Sequence, residues 1–334
     1  MKIELFDARA LHPLVRYLEQ NGADSQSVLD TVRIPQQIIV EGGWVSKKQA
    51  YDFALEVVRH AGTEEAVFAA YQDFDLSDLG PIATAMQSCK TVKDALETAA
   101  RLGAIAYEGS SYFLQVRGDV TWFCFSETQF ISNGQQYVDD LTVTIFWHLI
   151  QSATNQNWQP DQIIFSGRAQ DRHRAMLPLQ ECATVPRSSF SGLAFPTDFL
   201  RQRVAWSPPA VALDESSAWR FGPDGSVAIV ETLHRVLESQ FRMDNLPTLY
   251  QLARVCGCSP TTLKNMLRSS GTTYTNVLDR LRFDSACDLL AVPQASIREI
   301  AHELGYSTTS NFVRSFRRMT NMTPGQYRRR EFDL

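Results

Sequence analysis

Near the end of the chain the apolar residues recur twice in one order. Leu249, Leu252, Ala253, Gly257, Ser259, Leu263, Leu267 and Gly271 form the first copy, and Ile297, Ile300, Ala301, Gly305, Ser307, Phe312, Phe316 and Asn321 the second. In each, an i, i+3, i+4 stripe with a small Ala precedes a Gly, a Ser N-cap and an i, i+4 apolar pair. That pattern predicts two short helices meeting at a tight turn. Such a unit can place its second helix in a DNA major groove.

The first copy predicts a supporting helix over Thr248–Cys256, after Pro247, and a probe helix over Pro260–Ser269, capped by Ser259 with Pro260 at N1. Leu263, Met266 and Leu267 turn inward, which leaves Thr261, Thr262, Lys264, Asn265 and Arg268 outside. Thr261, Lys264 and Asn265 are candidate base contacts, because Asn can pair adenine bidentately and Lys can reach guanine acceptors; Arg268 suits phosphate. The second copy predicts a supporting helix from Ile297 to Leu304, opened by a capping box of Ser296 and Glu299, and a probe from Thr308 to Met319 capped by Ser307. Phe312 and Phe316 face inward, so Thr309, Ser310, Val313 and Arg314 form the reading face, with Arg317 and Arg318 toward the backbone. Asn321 is read as a left-handed C-cap, and Thr323-Pro324 opens a last helix ending at Arg328–Arg330. Between the copies, Tyr274–Leu290 reads as one amphipathic helix, roughly 25 Å long at 1.5 Å per residue. Two probes about one DNA turn apart, ~34 Å, could enter successive major grooves. The plainer alternative is a helical bundle that binds a protein.

Periodicity in the first 204 residues is mixed. Helical spacing is visible in Leu11–Gln20, Ser46–His60 and Thr91–Ala106. A hairpin, SYFLQVRG and VTWFCFSE, turns at Gly118-Asp119. Tyr137–Ala153 predicts a buried helix, although Val143–Phe146 would also serve as strand, and Gln162–Ser166 and Gly192–Phe195 read as strands. The stretch Ala205–Ser226 has three Pro, two Gly and four Ser and reads as a linker. Val227–Phe241 then carries a helix that supports the repeat. The fold class is thus an α+β N-terminal domain (1–204), a linker (205–226) and an all-α domain (227–334). The latter has two helix-turn-helix motifs, about 248–269 and 297–319, joined by a long helix at 274–290.

A length of 334 residues at 44% hydrophobic content suits two domains. No signal segment or membrane span is expected, so the chain reads as cytoplasmic, nucleoid-associated when on DNA. The net charge of −5 hides an asymmetry: from Ser226 onward there are 14 Lys and Arg against 10 Asp and Glu, and before it 18 against 27. The excess crowds the last copy at Arg314, Arg317, Arg318 and Arg328–Arg330, where phosphate neutralisation needs local charge; its bland reading is a solvated helix face. The six cysteines lack framework spacing and are expected reduced. Cys256 and Cys258 form a lone C-x-C on a turn and are read as structural. No metal and no cofactor are expected.

Residues 305–330, GYSTTSNFVRSFRRMTNMTPGQYRRR, resemble the signature of AraC/XylS-type transcriptional regulators, with Asn321 in place of the usual Gly. The first copy is similar to that family's less regular first motif. The resemblance implies base contacts at Thr261, Lys264 and Asn265, and at Thr309, Ser310, Asn311, Val313 and Arg314. Thr262, Arg268, Arg317, Arg318 and Arg328 are assigned to phosphates. The segments LGPIATAMQSCKTVKDALETAARL (79–102) and FSGLAFPTDFLRQRVAWSPP (190–209), with the hairpin between them, resemble the "arabinose-binding-like" N-terminal region of regulators of ornithine use and quorum-linked virulence, rather than an all-β cupin barrel. That resemblance implies effector binding, dimerisation or both, without implying a sugar.

Catalytic signatures such as a P-loop, G-x-G-x-x-G, H-E-x-x-H or G-x-S-x-G are missing from the sequence. His148 reads as a satisfied core histidine and His173 as part of a solvated loop; Asp139 and Asp140 read as acids near a helix start. Tyr112, Phe113, Trp122, Phe123 and Phe125 read as core, with some of them open to lining an effector pocket whose ligand-binding residues are unknown. The expected protein is a non-enzymatic regulator, read as an activator. Its expected partners are double-stranded promoter DNA, a second copy of itself, RNA polymerase and a small-molecule effector. Two alternatives stay open: control by abundance or a protein partner without an effector, and an enzyme fused to a DNA-binding module.

Overall fold

Side chains of Asp24, Ser46 and Thr91 cap three of the N-terminal helices and set where they begin. In the computed structural model, which describes residues 2–129, 131–166, 182–207, 229–241 and 246–332, the chain divides into two compact units. They are Met1–Ser226 and, apart from Val255–Gly257, Val227–Leu334. The first unit runs β1 (Leu5–Asp7), α1 (His12–Gln20), α2 (Ser25–Val32), α3 (Gln36–Glu41), β2 (Trp44–Ser46), α4 (Lys47–Ala61), α5 (Ala66–Ala70), α6 (Pro81–Gln87) and α7 (Val92–Ala106). It continues with β3 (Ser110–Arg117), β4 (Val120–Glu127), α8 (Gln135–Thr154), β5 (Gln162–Ser166), β6 (Ala183–Ser188) and β7 (Ser191–Pro196).

The helices expected at Leu11–Gln20, Ser46–His60, Thr91–Ala106 and Tyr137–Ala153 are α1, α4, α7 and α8. Ser46 and Thr91 stand just outside their helices as N-caps, Ser46 in a capping box with Gln49. The strand alternative for Val143–Phe146 is excluded, since those residues lie in mid-α8. Helices α2, α3, α5 and α6, of five to eight residues each, are not among the expected elements, since a period this short is readable only where a second copy or a cap repeats it, as in the C-terminal pairs.

The hairpin turns at Gly118-Asp119 as expected, pairing Ser110 with Glu127 and Arg117 with Val120. Its strands join a sheet of order β3-β4-β7-β5-β6, antiparallel except for the β5–β6 pair. Helix α8 packs on β7, and its buried Leu141, Ile145, Phe146 and Leu149 meet Phe123 and Phe125 of β4 in one apolar core. Gly134, the N-cap of α8, lies against α4 so closely that a Cβ there would stand 1.9 Å from the Tyr51 carbonyl oxygen. This position admits no side chain, and it sets how near the two helices come.

The second unit holds α9 (Ile229–Phe241), α10 (Leu249–Val255), α11 (Pro260–Ser269), α12 (Tyr274–Leu290), α13 (Ile297–Glu303), α14 (Thr309–Thr320) and α15 (Pro324–Phe332). Helix α12 has the expected bounds. Its Val277 and Leu281 are buried on the half that meets α9, while Ala286 and Leu290 join Ile300, Ala301, Leu304, Phe312 and Phe316 in a second small core. One helix therefore serves two cores, which fixes the two helix pairs to a common strut. The linker expected at 205–226 lies outside the described residues from 208 onward. No helix among the described residues is long and apolar enough to cross a membrane.

Candidate nucleic-acid interface and ligand cavity

Helix α11 begins as its sequence demands: the Ser259 hydroxyl accepts from the Thr262 amide, and Pro260 occupies N1 where no amide is needed. Leu263 and Leu267 are buried and Met266 is half-buried, so Thr261, Lys264, Asn265 and Arg268 stand exposed on the opposite face. Thr262 is half-buried, and its hydroxyl lies 2.8 Å from the Ser259 hydroxyl.

In the second pair, Ser296 and Glu299 form the expected capping box of α13. Helix α14 is capped by Thr308 rather than by Ser307. The Thr308 hydroxyl accepts from the Asn311 amide, while Ser307 accepts at 3.1 Å from the Asn311 side chain. Two adjacent hydroxyls compete for this end of the helix, and only Thr308 is placed to reach the third amide. Phe312 and Phe316 are buried and Ser310, Asn311, Arg314, Arg317 and Arg318 are exposed; Thr309 and Val313 are half-buried. Arg318 pairs with Asp279 of α12 at 2.5 Å. Arg328 donates from Nε to the Leu290 carbonyl at 3.1 Å and from Nη2 to the Ala295 carbonyl at 2.7 Å. Its guanidinium thus satisfies one carbonyl at the end of α12 and one just beyond it instead of facing outward as a phosphate contact. Arg329 and Arg330 are the exposed arginines of α15. Cys256 is buried and Cys258 half-buried at the turn before α11, and burial pushes the Cys258 thiol up, away from a reactive thiolate.

In the first unit a cavity opens between α7, α8, α4 and the β3–β4 hairpin. It leaves about 50 Å³ for the centres of water-sized atoms and is walled by aromatic rings, among them Tyr51, Tyr107, Tyr112, Phe123 and Phe146. Of the hairpin aromatics, Tyr112 and Phe123 line it, Phe125 stacks behind Tyr112, and Phe113 turns to the other face against Phe190. Trp122 is half-buried. Gly103 of α7 makes room for Tyr112, whose ring would lie 3.2 Å from a Cβ there.

One end of the cavity is polar and was not foreseen. Lys47, 1% exposed, donates to the Glu108 carbonyl at 2.8 Å, to the Ser110 hydroxyl at 2.8 Å and to Glu127 Oε2. Its three donors are all used, as a buried ammonium requires. Glu127 Oε1 accepts from the Tyr51 hydroxyl and, at 3.0 Å, from Ser110. Burial and the neighbouring Glu127 charge hold the Tyr51 phenol well above its ordinary range. Lys47 and Tyr51 come from α4, Ser110 from β3 and Glu127 from β4, so no spacing in the chain announces the cluster.

Asp139 and Asp140 do not sit at a solvated helix end; both are buried. Asp139 Oδ2 accepts from the hydroxyls of Ser166 and Ser191, while its Oδ1 has no partner among the described residues. Burial, with Asp140 and Glu127 nearby, pushes its carboxyl up to about 7. His148 is half-buried against Trp147 and Phe74, but its Nε2 has no hydrogen-bond partner among the described residues, so it is a core histidine only partly satisfied there; burial lowers its pKa. His173 lies outside the described residues.

Comparison with known proteins finds two families that match separate stretches of the chain. A family described as a helix-turn-helix domain matches residues 252–330. Over 139 residues the chain is 33% identical to the ornithine utilization regulator of Pseudomonas aeruginosa, a stretch that is 41% of this chain and 40% of that protein. Over 143 residues it is 32% identical to the HTH-type transcriptional regulator GlxA of Rhizobium meliloti, 40% of this chain and 42% of that one. The chain thus spans less than half the length of these relatives, and ornithine pertains to the first of them alone. Among solved structures, the transcriptional regulator CdpR from Pseudomonas aeruginosa aligns over 96% of this chain and 98% of its own, at 17% identity and a TM-score of 0.44. A second family, the arabinose-binding domain found at the N-terminus of AraC transcription regulators, matches residues 22–204, more than half of the length, and the chain belongs to that family.

Proposed function

We propose that the protein is a sequence-specific transcription regulator that reads promoter DNA with two helix-turn-helix motifs and senses a small molecule with its N-terminal unit. The observation that carries this reading is the pair α11 and α14. Each is a capped helix held by buried apolar residues on one side and exposing amides, hydroxyls and cations on the other, within the stretch matched to a helix-turn-helix domain. Thr261, Lys264 and Asn265, with Thr309, Ser310, Asn311, Val313 and Arg314, are assigned to base edges. Thr262, Arg268, Arg317 and Arg318 are assigned to phosphates. Arg328 is reassigned to positioning, since its donors hold backbone carbonyls.

Residues 1–204 form the sensing and dimerising part in this reading, and 227–334 the DNA-binding part. Dimerisation makes the second module's binding effectively intramolecular and raises occupancy of paired sites. Activation through contact with RNA polymerase follows the habit of the resembled regulators. No catalytic role is assigned.

The test is titration of the purified protein against DNA from upstream of its own coding region, at physiological salt with unrelated competitor DNA. Specific binding that Asn265→Ala and Arg314→Ala each weaken by about 1–3 kcal/mol supports the assignment. Specific binding that both variants leave unchanged removes it.

A further inference from the structure

The walls of the N-terminal cavity are mostly carbon, with the polar groups concentrated at the Glu127 end, and that end limits what can enter. We propose that the cavity binds a small, uncharged, mainly apolar molecule with a single hydrogen-bond donor, such as a one-ring alcohol or phenol, its donor resting on Glu127 Oε2. The proposal depends on the N-terminal unit being a sensing domain, and it names the chemical class that the domain takes.

Size comes first. The open volume of about 50 Å³ is several times the roughly 10–15 Å³ that one water needs and well below the roughly 150 Å³ of a dry cavity that takes up benzene, so one small ring or a short chain is the most that can enter. Polarity follows from the carboxylate. A carboxylate has about four acceptor positions. Glu127 accepts from Tyr51 and Ser110 at Oε1 and from Lys47 at Oε2, so one position at Oε2 remains for a donor from the ligand.

Charge is decided by Lys47. Its ammonium already neutralises Glu127 from full burial, so an amine placed on the same carboxylate would stand beside a second cation in a medium of low dielectric. An acid would face the Glu127 carboxylate instead. A sugar is disfavoured for a different reason. It carries a hydroxyl on nearly every carbon, but the nearby Thr142 hydroxyl is committed to the Val138 carbonyl at 2.8 Å, and the remaining wall is mostly ring and aliphatic carbon. Most sugar hydroxyls would be buried without partners.

The test uses the full chain with 2-phenylethanol and p-cresol as probes, against 2-phenylethylamine, phenylacetate and L-arabinose at equal concentrations. Binding is read by calorimetry and by the shift in unfolding temperature. Ala99 lines the cavity from α7, and Ala99→Leu fills it while keeping a strong helix former in the helix. The expected result is one-to-one binding of the two neutral probes, weakened at least tenfold by Ala99→Leu, with no binding of the amine, the acid or the sugar. Ala99→Val, a smaller intrusion, is expected to weaken binding by less, and it carries the test if the leucine variant does not fold.

Tighter binding of the amine, the acid or the sugar overturns the proposal. So does binding of the neutral probes that both variants leave unchanged, or binding of none of the five. If the neutral probes bind but leave the affinity for DNA unchanged, the ligand class stands and the sensing role fails. If the amine or sugar alone alters DNA affinity, sensing stands and the ligand class fails.

Discussion

Asp139 is the residue at which burial has the plainest measurable consequence. Its carboxyl is raised to about 7 by burial, so the folded protein holds this proton across a range in which the unfolded chain has released it. Asp139 therefore contributes stability that is complete below the ordinary carboxylate range near 3.8 and is lost as pH rises through about 7. The slope for one proton is at most about 1.4 kcal/mol per pH unit. Urea unfolding of Asp139→Asn at pH 5 and pH 8 is expected to show a variant more stable than the parent at pH 8, with the difference shrinking or reversing at pH 5. Gly134 offers a steric counterpart. A methyl group there would overlap the Tyr51 carbonyl, and Gly134→Ala is expected to lower the unfolding free energy by about 1–3 kcal/mol or more, as overpacking does. A burial-driven shift of this kind is invisible in the sequence, where Asp139 and Asp140 look like ordinary acids near a helix start.

Elements of the C-terminal unit were legible where a cap coincided with an apolar period. Ser296 and Glu299 announce α13 by composition and spacing alone, and the structure closes that box. Ser296→Ala is expected to cost about 1 kcal/mol in thermal or urea unfolding. Asn321 ends α14 at φ 60°, a left-handed conformation. Asn321→Gly is expected to be neutral or slightly stabilising and Asn321→Ala to destabilise by about 1 kcal/mol, since only the latter carries a Cβ without a compensating polar group. The start of α14 shows the limit of such reading. Ser307 and Thr308 are both acceptable caps in one dimension, and backbone geometry chose the second. The short helices α2, α3, α5 and α6 were missed because, unlike the equally short α10 and α13, no second copy of their pattern repeats along the chain. Their place is fixed by the core they cover.

For the whole molecule, the proposed interface makes its cations unequal. Arg317 is exposed and has no carboxylate partner among the described residues, whereas Arg318 is held by Asp279 of the strut helix. Arg317→Ala is expected to reduce the slope of log affinity for DNA against log salt by about 1, across specific and unrelated sequences alike. Asp279→Asn, which releases Arg318, is expected to strengthen binding to unrelated DNA and steepen that slope. Anisotropy titrations over a range of salt concentrations check both; unchanged slopes would place these side chains away from phosphate.

The sequence by itself determined the helical repeat, the strut between its copies, the hairpin and the polar faces of α11 and α14. Those features depend on neighbours within a few residues, and local periods and caps record them. Only the tertiary structure decided that Lys47, Tyr51, Ser110 and Glu127 meet at one end of an aromatic cavity, that Asp139 is buried, and that Arg328 turns inward to backbone carbonyls. In each of those cases the deciding partner lies far along the chain. Burial and ion pairing depend on what folding brings within a few ångströms, and no local pattern records that.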